Sequence, residues 1–412
     1  MYTLVALCAI GAEKVLSNEL KQLGFVLLPG GGDPSALSRP PVGRVSFRLS
    51  EEDEARGGAA CLAALYRANL CLRTADRVYL QMALIPCRDF DALFTGVAAV
   101  RWHDWFKKDF KILVDKVRVH ASKLSSETTI QSVVHKGIYE SLGKAWKMSS
   151  LPETGSEVTI RVYMEHDAAS ILLDLSGMPL HRRGYRTAGG EAPIRETLAS
   201  VLIQSLAWRR KTPFHDAFCG SGTIPIEAVL YAHNIAPGLG RSFALEHLVP
   251  FTTAEAKAAL EEERARAASA IRTDCLVRVT GSDIDEKVLV SARGNAERAC
   301  SIAGRALQTI GKDSRIPRPD FVRASFEELA APWPEGLLLS NPPWGERLED
   351  ADSARALYSS MHRLFKDFAG WDLAFITSNT SFEDAIGRKA DKRKKFKSGN
   401  LDTVFYHFSK ER

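Results

Sequence analysis

From residue 192 onward the chain alternates between helical and extended patterns. A long amphipathic helix over 193–208 leads into strand–turn–helix over 212–232. A strand at 277–282 and a helix at 286–299 follow, then strands at 320–323 and 336–340, a helix at 354–368, and strands at 372–377 and 403–408. Strands separated by helices need crossover connections, and these build a parallel sheet covered on both faces. The last two strands, separated by a basic segment, suit an antiparallel finish. The opening half has a different rhythm: strands at 3–10, 44–49, 77–84, 115–120, 157–165 and 170–175, with helices at 11–23, 55–70 and 129–146. A Gly/Pro-rich stretch interrupts it at 29–41. This half reads as small α+β units.

A chain of 412 residues exceeds one ordinary domain. The boundaries predicted are an N-terminal subdomain over 1–70, a second small unit over 71–176, a linker over 177–190 and the α/β domain over 191–412. Seven cysteines, scattered and without a C-x-x-C pair, argue against a disulfide framework and against a zinc knuckle, and fit a reducing cytoplasm. No metal is expected. The apolar start is followed at once by Glu13 and Lys14 and reads as a strand rather than a signal peptide. No apolar run approaches the ~18–20 residues of a membrane span.

Between a predicted strand and helix lies Asp216-Ala217-Phe218-Cys219-Gly220-Ser221-Gly222-Thr223. Glycines here permit positive φ and close approach of a ligand, and the following helix offers unpaired N–H groups. A later strand ends in Asp283, where a carboxylate can accept both hydroxyls of a ribose. Asp285 reads as a helix cap. The dinucleotide signature is incomplete, since its third glycine position is Pro225, and the acid lies about 60 residues downstream rather than ~20. A dehydrogenase is disfavoured; an adenosine ligand without a pyrophosphate fits. Cys219 reads as a small packing residue.

The strand at 336–340 runs into Asn341-Pro342-Pro343-Trp344. The Asn341 side-chain oxygen and the Pro342 carbonyl can both accept hydrogen bonds from one planar amino group. Trp344 can stack on the ring that carries it, worth ~1–3 kcal/mol per base. An exocyclic base nitrogen is a poor nucleophile because its lone pair is delocalised. Two acceptors that hold its N–H bonds make pyramidal geometry accessible and aim the lone pair at a methyl donor, so alignment replaces a strong base.

With these residues in hand, the sequence resembles the bacterial class I methyltransferases that carry a THUMP domain and make N2-methylguanosine in 23S ribosomal RNA. The likeness lies in Val119-His120-Ala121-Ser122-Lys123-Leu124, in Leu180-His181-Arg182-Arg183-Gly184-Tyr185-Arg186 and in Ala192-Pro193-Ile194-Arg195-Glu196-Thr197-Leu198. It continues through the glycine loop, Asn234-Ile235-Ala236-Pro237-Gly238-Leu239, Gly281-Ser282-Asp283-Ile284-Asp285, residues 341–348 and the basic segment that begins Gly387-Arg388-Lys389-Ala390. The resemblance implies a Rossmann-like catalytic domain with a mostly parallel seven-stranded sheet, preceded by a ferredoxin-like and THUMP region. It also implies S-adenosylmethionine held around Asp216, Cys219, Gly220, Gly222, Asp283 and Thr197, and a target amine at Asn341 and Pro342 with Pro343 and Trp344 completing the platform. The family's adenine-reading acid is replaced here by Ser325, an uncharged and weaker acceptor. Ser122 and Lys123 are expected to help hold ribosomal RNA or an assembling large subunit. Arg388, Lys389 and Lys394 belong to a basic run suited to phosphate. Arg183 and its neighbours either track RNA or solvate the linker.

Five rivals share parts of this pattern. A transfer-RNA guanosine methyltransferase uses the same chemistry. Asn-Pro-Pro-aromatic motifs also serve adenine-amino DNA methylation and glutamine methylation of proteins, against which the N-terminal RNA-binding resemblance argues. A cytosine-carbon enzyme needs a catalytic Cys, and Pro86-Cys87 lies outside the catalytic domain. A silent RNA-binding or ribosome-assembly factor would have no reason to keep Asp216, Gly220, Gly222, Asp283 and Asn341 intact.

Overall fold

The computed structural model describes residues 2–28, 42–186, 193–344, 351–398 and 401–410. The Gly/Pro-rich stretch, the end of the linker and residues 345–348 of the motif lie outside this set. Among the described residues the strands form two seven-stranded sheets.

The first sheet contains β1 (Thr3–Leu7), β2 (Val26–Leu27), β3 (Arg44–Arg48), β4 (Arg77–Pro86), β5 (Lys111–His120), β6 (Glu157–Glu165) and β7 (Ala168–Asp174), in the order β2-β3-β1-β4-β7-β6-β5. Only β5 and β6 pair in parallel. Period-two burial explains its covered face: Val158, Ile160, Val162 and Met164 of β6 all point into the core. Helix Glu127–Trp146 lies over that face through Ile130, Val134, Ile138 and Leu142, four residues apart along one stripe. Ser126 caps its start by accepting from the Thr129 amide. The two small units expected on either side of residue 70 are continuous here, because β4 pairs with β1 on one side and β7 on the other. The helix expected over 55–70 begins earlier and is broken: Glu51–Arg56 and Gly58–Cys71 meet at Gly57, which adopts φ +62°.

The second sheet contains β8 (Phe214–Asp216), β9 (Val279–Asp283), β10 (Asp320–Arg323), β11 (Gly336–Ser340), β12 (Trp371–Thr377), β13 (Lys392–Ser398) and β14 (Leu401–Phe408), in the order β10-β9-β8-β11-β12-β14-β13. The five strands β8–β12 run parallel, and the last two close it antiparallel. All five residues of β11 are buried, as a strand covered on both faces requires. The basic run is itself the edge strand: Phe396 turns inward while Lys392, Lys395 and Lys397 stay exposed along an edge that charge keeps from pairing with other chains.

Several contacts fix the halves together. Helix Ala254–Ser269, inside the insertion after the glycine loop, packs on helix Gly58–Cys71. There Arg67 pairs with Asp53 and, at 2.9 Å, with Glu263. The Gly238 amide donates to the Leu70 carbonyl at 2.9 Å. Ile10 and Lys397 exchange backbone hydrogen bonds at 3.1 and 3.0 Å. Gly11 makes that bridge feasible, since its φ is +92° and a Cβ would sit 2.3 Å from the Lys395 carbonyl oxygen.

Candidate active site

In the second sheet the chain moves outward from β8 to β9 and β10, then returns to place β11 on the other side of β8. The strand order therefore reverses between β8 and β11, and ligands of open α/β sheets bind outside the carboxyl ends of the strands at such a point. Asp216 ends β8 and Asn341 follows β11. The two ends are tied: the Ala217 amide donates to Ser340 Oγ at 2.8 Å. Sequence alone does not single out Ser340, since a serine closing an apolar strand carries no signal.

Asp216 is buried, and desolvation pushes its carboxyl up to about 7 even though the Phe218 amide donates to it at 3.1 Å. The loop then turns through Gly220 at φ +51° and Gly222 at φ +85°, which precedes helix Thr223–Ala232. A Cβ on Gly220 would meet nothing within 4 Å, so open space lies above it; one on Gly222 would strike Phe321 at 2.9 Å. Asp283, ending β9, accepts from the Gly220 amide at 2.9 Å and from the Asp285 amide at 3.0 Å. A carboxylate has about four acceptor sites, so two remain for hydroxyls. Asp285 caps helix Glu286–Thr309, as expected. These residues fit an adenosyl donor: an acceptor for ribose, a glycine opening and an apolar neighbour, Ile284, that stays 68 % exposed beside the acid. That exposure could be seen only in the structure.

Cys219 packs against Gly281, where a Cβ would lie 2.9 Å from its own, and burial drives its thiol far above the ordinary range. It is a packing residue and no nucleophile. Ser325 follows β10, held beside β9 by the Ala324 amide donating to the Asp283 carbonyl at 3.1 Å. Its Oγ accepts the Glu327 amide at 3.3 Å, so the hydroxyl proton remains available to donate.

On the other side of the switch point, Pro342 is buried and the Pro343 carbonyl accepts from Tyr358 Oη at 2.6 Å. Tyr358 is a support that no motif announces. Trp344 does more than offer a ring. Its Nε1–H donates to Asn341 Oδ1 at 2.9 Å and approaches the Ile376 carbonyl at 3.3 Å. Indole N–H only donates, so the atom it faces must be the amide oxygen, which keeps a second lone pair.

Three expectations need correction. Arg183 is buried, spending its guanidinium on the Leu180 and Arg73 carbonyls with Glu227 at 3.6 Å, so it neither tracks RNA nor solvates a linker. Thr197 is buried and donates to Asp76 Oδ1 at 2.6 Å, toward the N-terminal half rather than a donor. Lys394 is half-buried over Phe396, where burial lowers its pKa and the charge of Glu13 opposes that shift. Of the other basic residues, Lys389 is exposed and Arg388 is half-buried. Lys389 pairs with Asp384 at 2.6 Å, and Arg388 lies 4.6 Å over the Phe365 ring. Ser122 Oγ accepts the Asp167 amide at 3.1 Å, and the Lys123 amide donates to Asp167 Oδ1 at 2.7 Å. The two are thus tied to the β6–β7 turn, with Lys123 exposed and Ser122 half-buried. No grouping of His, Cys, Asp or Glu suited to a metal occurs among the described residues, and no helix among them is long and apolar enough to cross a membrane.

Residues 183–407 match the RMKL-like methyltransferase domain, and residues 87–174 match the THUMP domain. The chain is 35 % identical to the putative RNA methyltransferase YpsC of Bacillus subtilis (strain 168), covering 99 % of this chain and 96 % of that protein. It is 32 % identical to the ribosomal RNA large subunit methyltransferase K/L of Shewanella sp. (strain MR-4), over 87 % of this chain but 49 % of that protein. Among solved structures it resembles SMU.472, a putative methyltransferase complexed with S-adenosylhomocysteine, at 32 % identity and a TM-score of 0.82, covering 100 % of this chain and 98 % of the other.

Proposed function

Since the chain belongs to the RMKL-like methyltransferase family and takes S-adenosylmethionine as its cofactor, we propose that it methylates the exocyclic N2 amine of a guanosine in 23S ribosomal RNA, in the cytoplasm, on free RNA or on an assembling large subunit. The observation that carries this reading is the tie between the ends of β8 and β11 at the switch point, Ala217 amide to Ser340 Oγ, which sets the glycine loop after Asp216 on one side and Asn341 on the other. The THUMP domain ahead of it favours an RNA substrate over DNA or protein.

When bound, the donor supplies an electrophilic methyl group. The chain's own residues do the rest. Asp283 would accept ribose hydroxyls, and the opening over Gly220 would admit the donor against the backbone. Asn341 Oδ1, oriented by Trp344, and the Pro342 carbonyl would hold the two N–H bonds of the target amine, turning its lone pair toward the methyl. With the nucleophile aligned, the amine loses its proton only as the new bond forms. The exposed edge of β13 and the Ser122–Lys123 loop would take phosphate.

Transfer of tritiated methyl from the donor to bulk ribosomal RNA, transfer RNA, DNA and protein, followed by nucleoside mass spectrometry, tests the reading. N2-methylguanosine in large-subunit RNA supports it. Label confined to transfer RNA would move the target while leaving the chemistry, and label in DNA or protein alone would refute it.

A further inference from the structure

Arg186 lies at the end of the described linker and reaches into the glycine loop. Its Nη2 donates to Thr223 Oγ1 at 2.7 Å, Nη1 to Ser221 Oγ at 3.3 Å, and Nε to Glu196 Oε1 at 3.0 Å. Three of its five N–H groups are thereby committed, leaving two. The residue before it is equally fixed. The Tyr185 carbonyl accepts from Arg298 Nε at 2.7 Å, and the Tyr185 hydroxyl bonds Glu227 at 3.2 Å. Ser221 is also held from behind, its carbonyl accepting from Asn295 Nδ2 at 3.0 Å. A residue met in the sequence only as part of a basic linker is thus built into the donor loop.

The loop has two chemically opposite ends. At Gly220 the facing group is the Asp283 carboxylate, with Asp216 behind it. At Ser221 and Thr223 the facing group is a guanidinium. S-adenosylmethionine has a matching polarity: a neutral ribose that needs acceptors and an α-carboxylate that needs a cation and donors. A planar guanidinium suits a carboxylate because two parallel N–H groups meet two oxygens. We propose that Arg186 is a donor-binding residue that receives the α-carboxylate of S-adenosylmethionine while pinning Ser221 and Thr223 around it. The proposal rests on the donor reading of the glycine loop and not on the RNA target.

Isothermal titration without RNA separates this role from a purely structural staple. S-adenosylhomocysteine carries the amino-acid end, whereas 5′-methylthioadenosine presents the same adenosyl group without it. Arg186→Met should weaken S-adenosylhomocysteine about tenfold or more and leave methylthioadenosine within about twofold. Arg186→Lys, which keeps charge but loses the fork, should fall between for the first ligand and be silent for the second. If Arg186→Met does not fold, the lysine variant carries the same comparison. Equal losses for both ligands would reduce Arg186 to a loop staple, and unchanged S-adenosylhomocysteine affinity would remove it from the site; either overturns the proposal. Because no RNA is present, a wrong RNA target would leave these results untouched.

Discussion

Replacing Asp216 with asparagine should stabilise the ligand-free protein by an amount that grows with pH. The side chain is 1 % exposed, and burial lifts its carboxyl from the ordinary 3.8 to about 7. Hydrogen bonds from the Phe218 amide and the Ser340 hydroxyl oppose this without reversing it. Between those two values the unfolded chain has released its proton while the folded chain still binds it. The stability contributed by this group is therefore present in full below about pH 4 and lost as pH rises to about 7. A displacement of that size corresponds to ~4 kcal/mol. Asparagine copies the shape of the carboxylic acid and removes the charge. The stability of Asp216→Asn relative to the parent should climb by up to ~4 kcal/mol between pH 4 and 8. Equilibrium urea unfolding followed by tryptophan fluorescence, without donor, measures it. His215 and His181, both pushed down to about 4 by burial, give slopes of the opposite sign up to about pH 6.5. Those slopes are common to both proteins and cancel in the difference. A difference that stays flat across this range would refute a carboxyl held protonated by burial.

Other perturbations probe other parts of the molecule. Asn341→Ala should abolish methyl transfer while leaving S-adenosylhomocysteine affinity within about twofold by titration; loss of donor binding would mean the residue is misplaced. Arg183→Met should strand Glu227 and cost about 3–5 kcal/mol in urea unfolding, whereas a large drop in RNA affinity with unchanged stability would restore the reading corrected above. Lys392→Glu with Lys395→Glu should weaken RNA binding, and the slope of log affinity against log salt should shrink by roughly one for each phosphate no longer neutralised; an unchanged slope would exclude the β13 edge. Gly11→Ala, which brings a Cβ against the Lys395 carbonyl at positive φ, should lower stability by about 1–3 kcal/mol in thermal or urea unfolding, and a neutral outcome would show that the bridge can rearrange.

Much of the catalytic half was legible because its signals are local. Strands 320–323 and 336–340 fall where the apolar runs place them, and the glycine loop and the Asn341 platform come out at the same end of one sheet. What escaped was long-range. Nothing in the run from Lys392 to Lys397 marks it as a strand except Phe396, and it becomes one by pairing with β14. Helix Ala254–Ser269 went unread within the segment between the glycine loop and Asp283, and the helix it packs on, Gly58–Cys71, lies in the other half of the chain. The continuity of the first sheet depends on β4 having partners on both sides, which no local pattern encodes. Charge was the least informative cue. Arg183 and Arg186 are three residues apart in one basic run, yet one is sealed in the core and the other clasps the glycine loop.

The backbone bridge between Ile10 and Lys397, taken with Arg67–Glu263 and Thr197–Asp76, fastens the two sheets at several separate points. Parting the two halves would have to break these contacts together. On the proposed function, a polymer gripped at the Ser122–Lys123 loop would offer Asn341 only the nucleotide at that reach, so selection among chemically identical bases would become a matter of length.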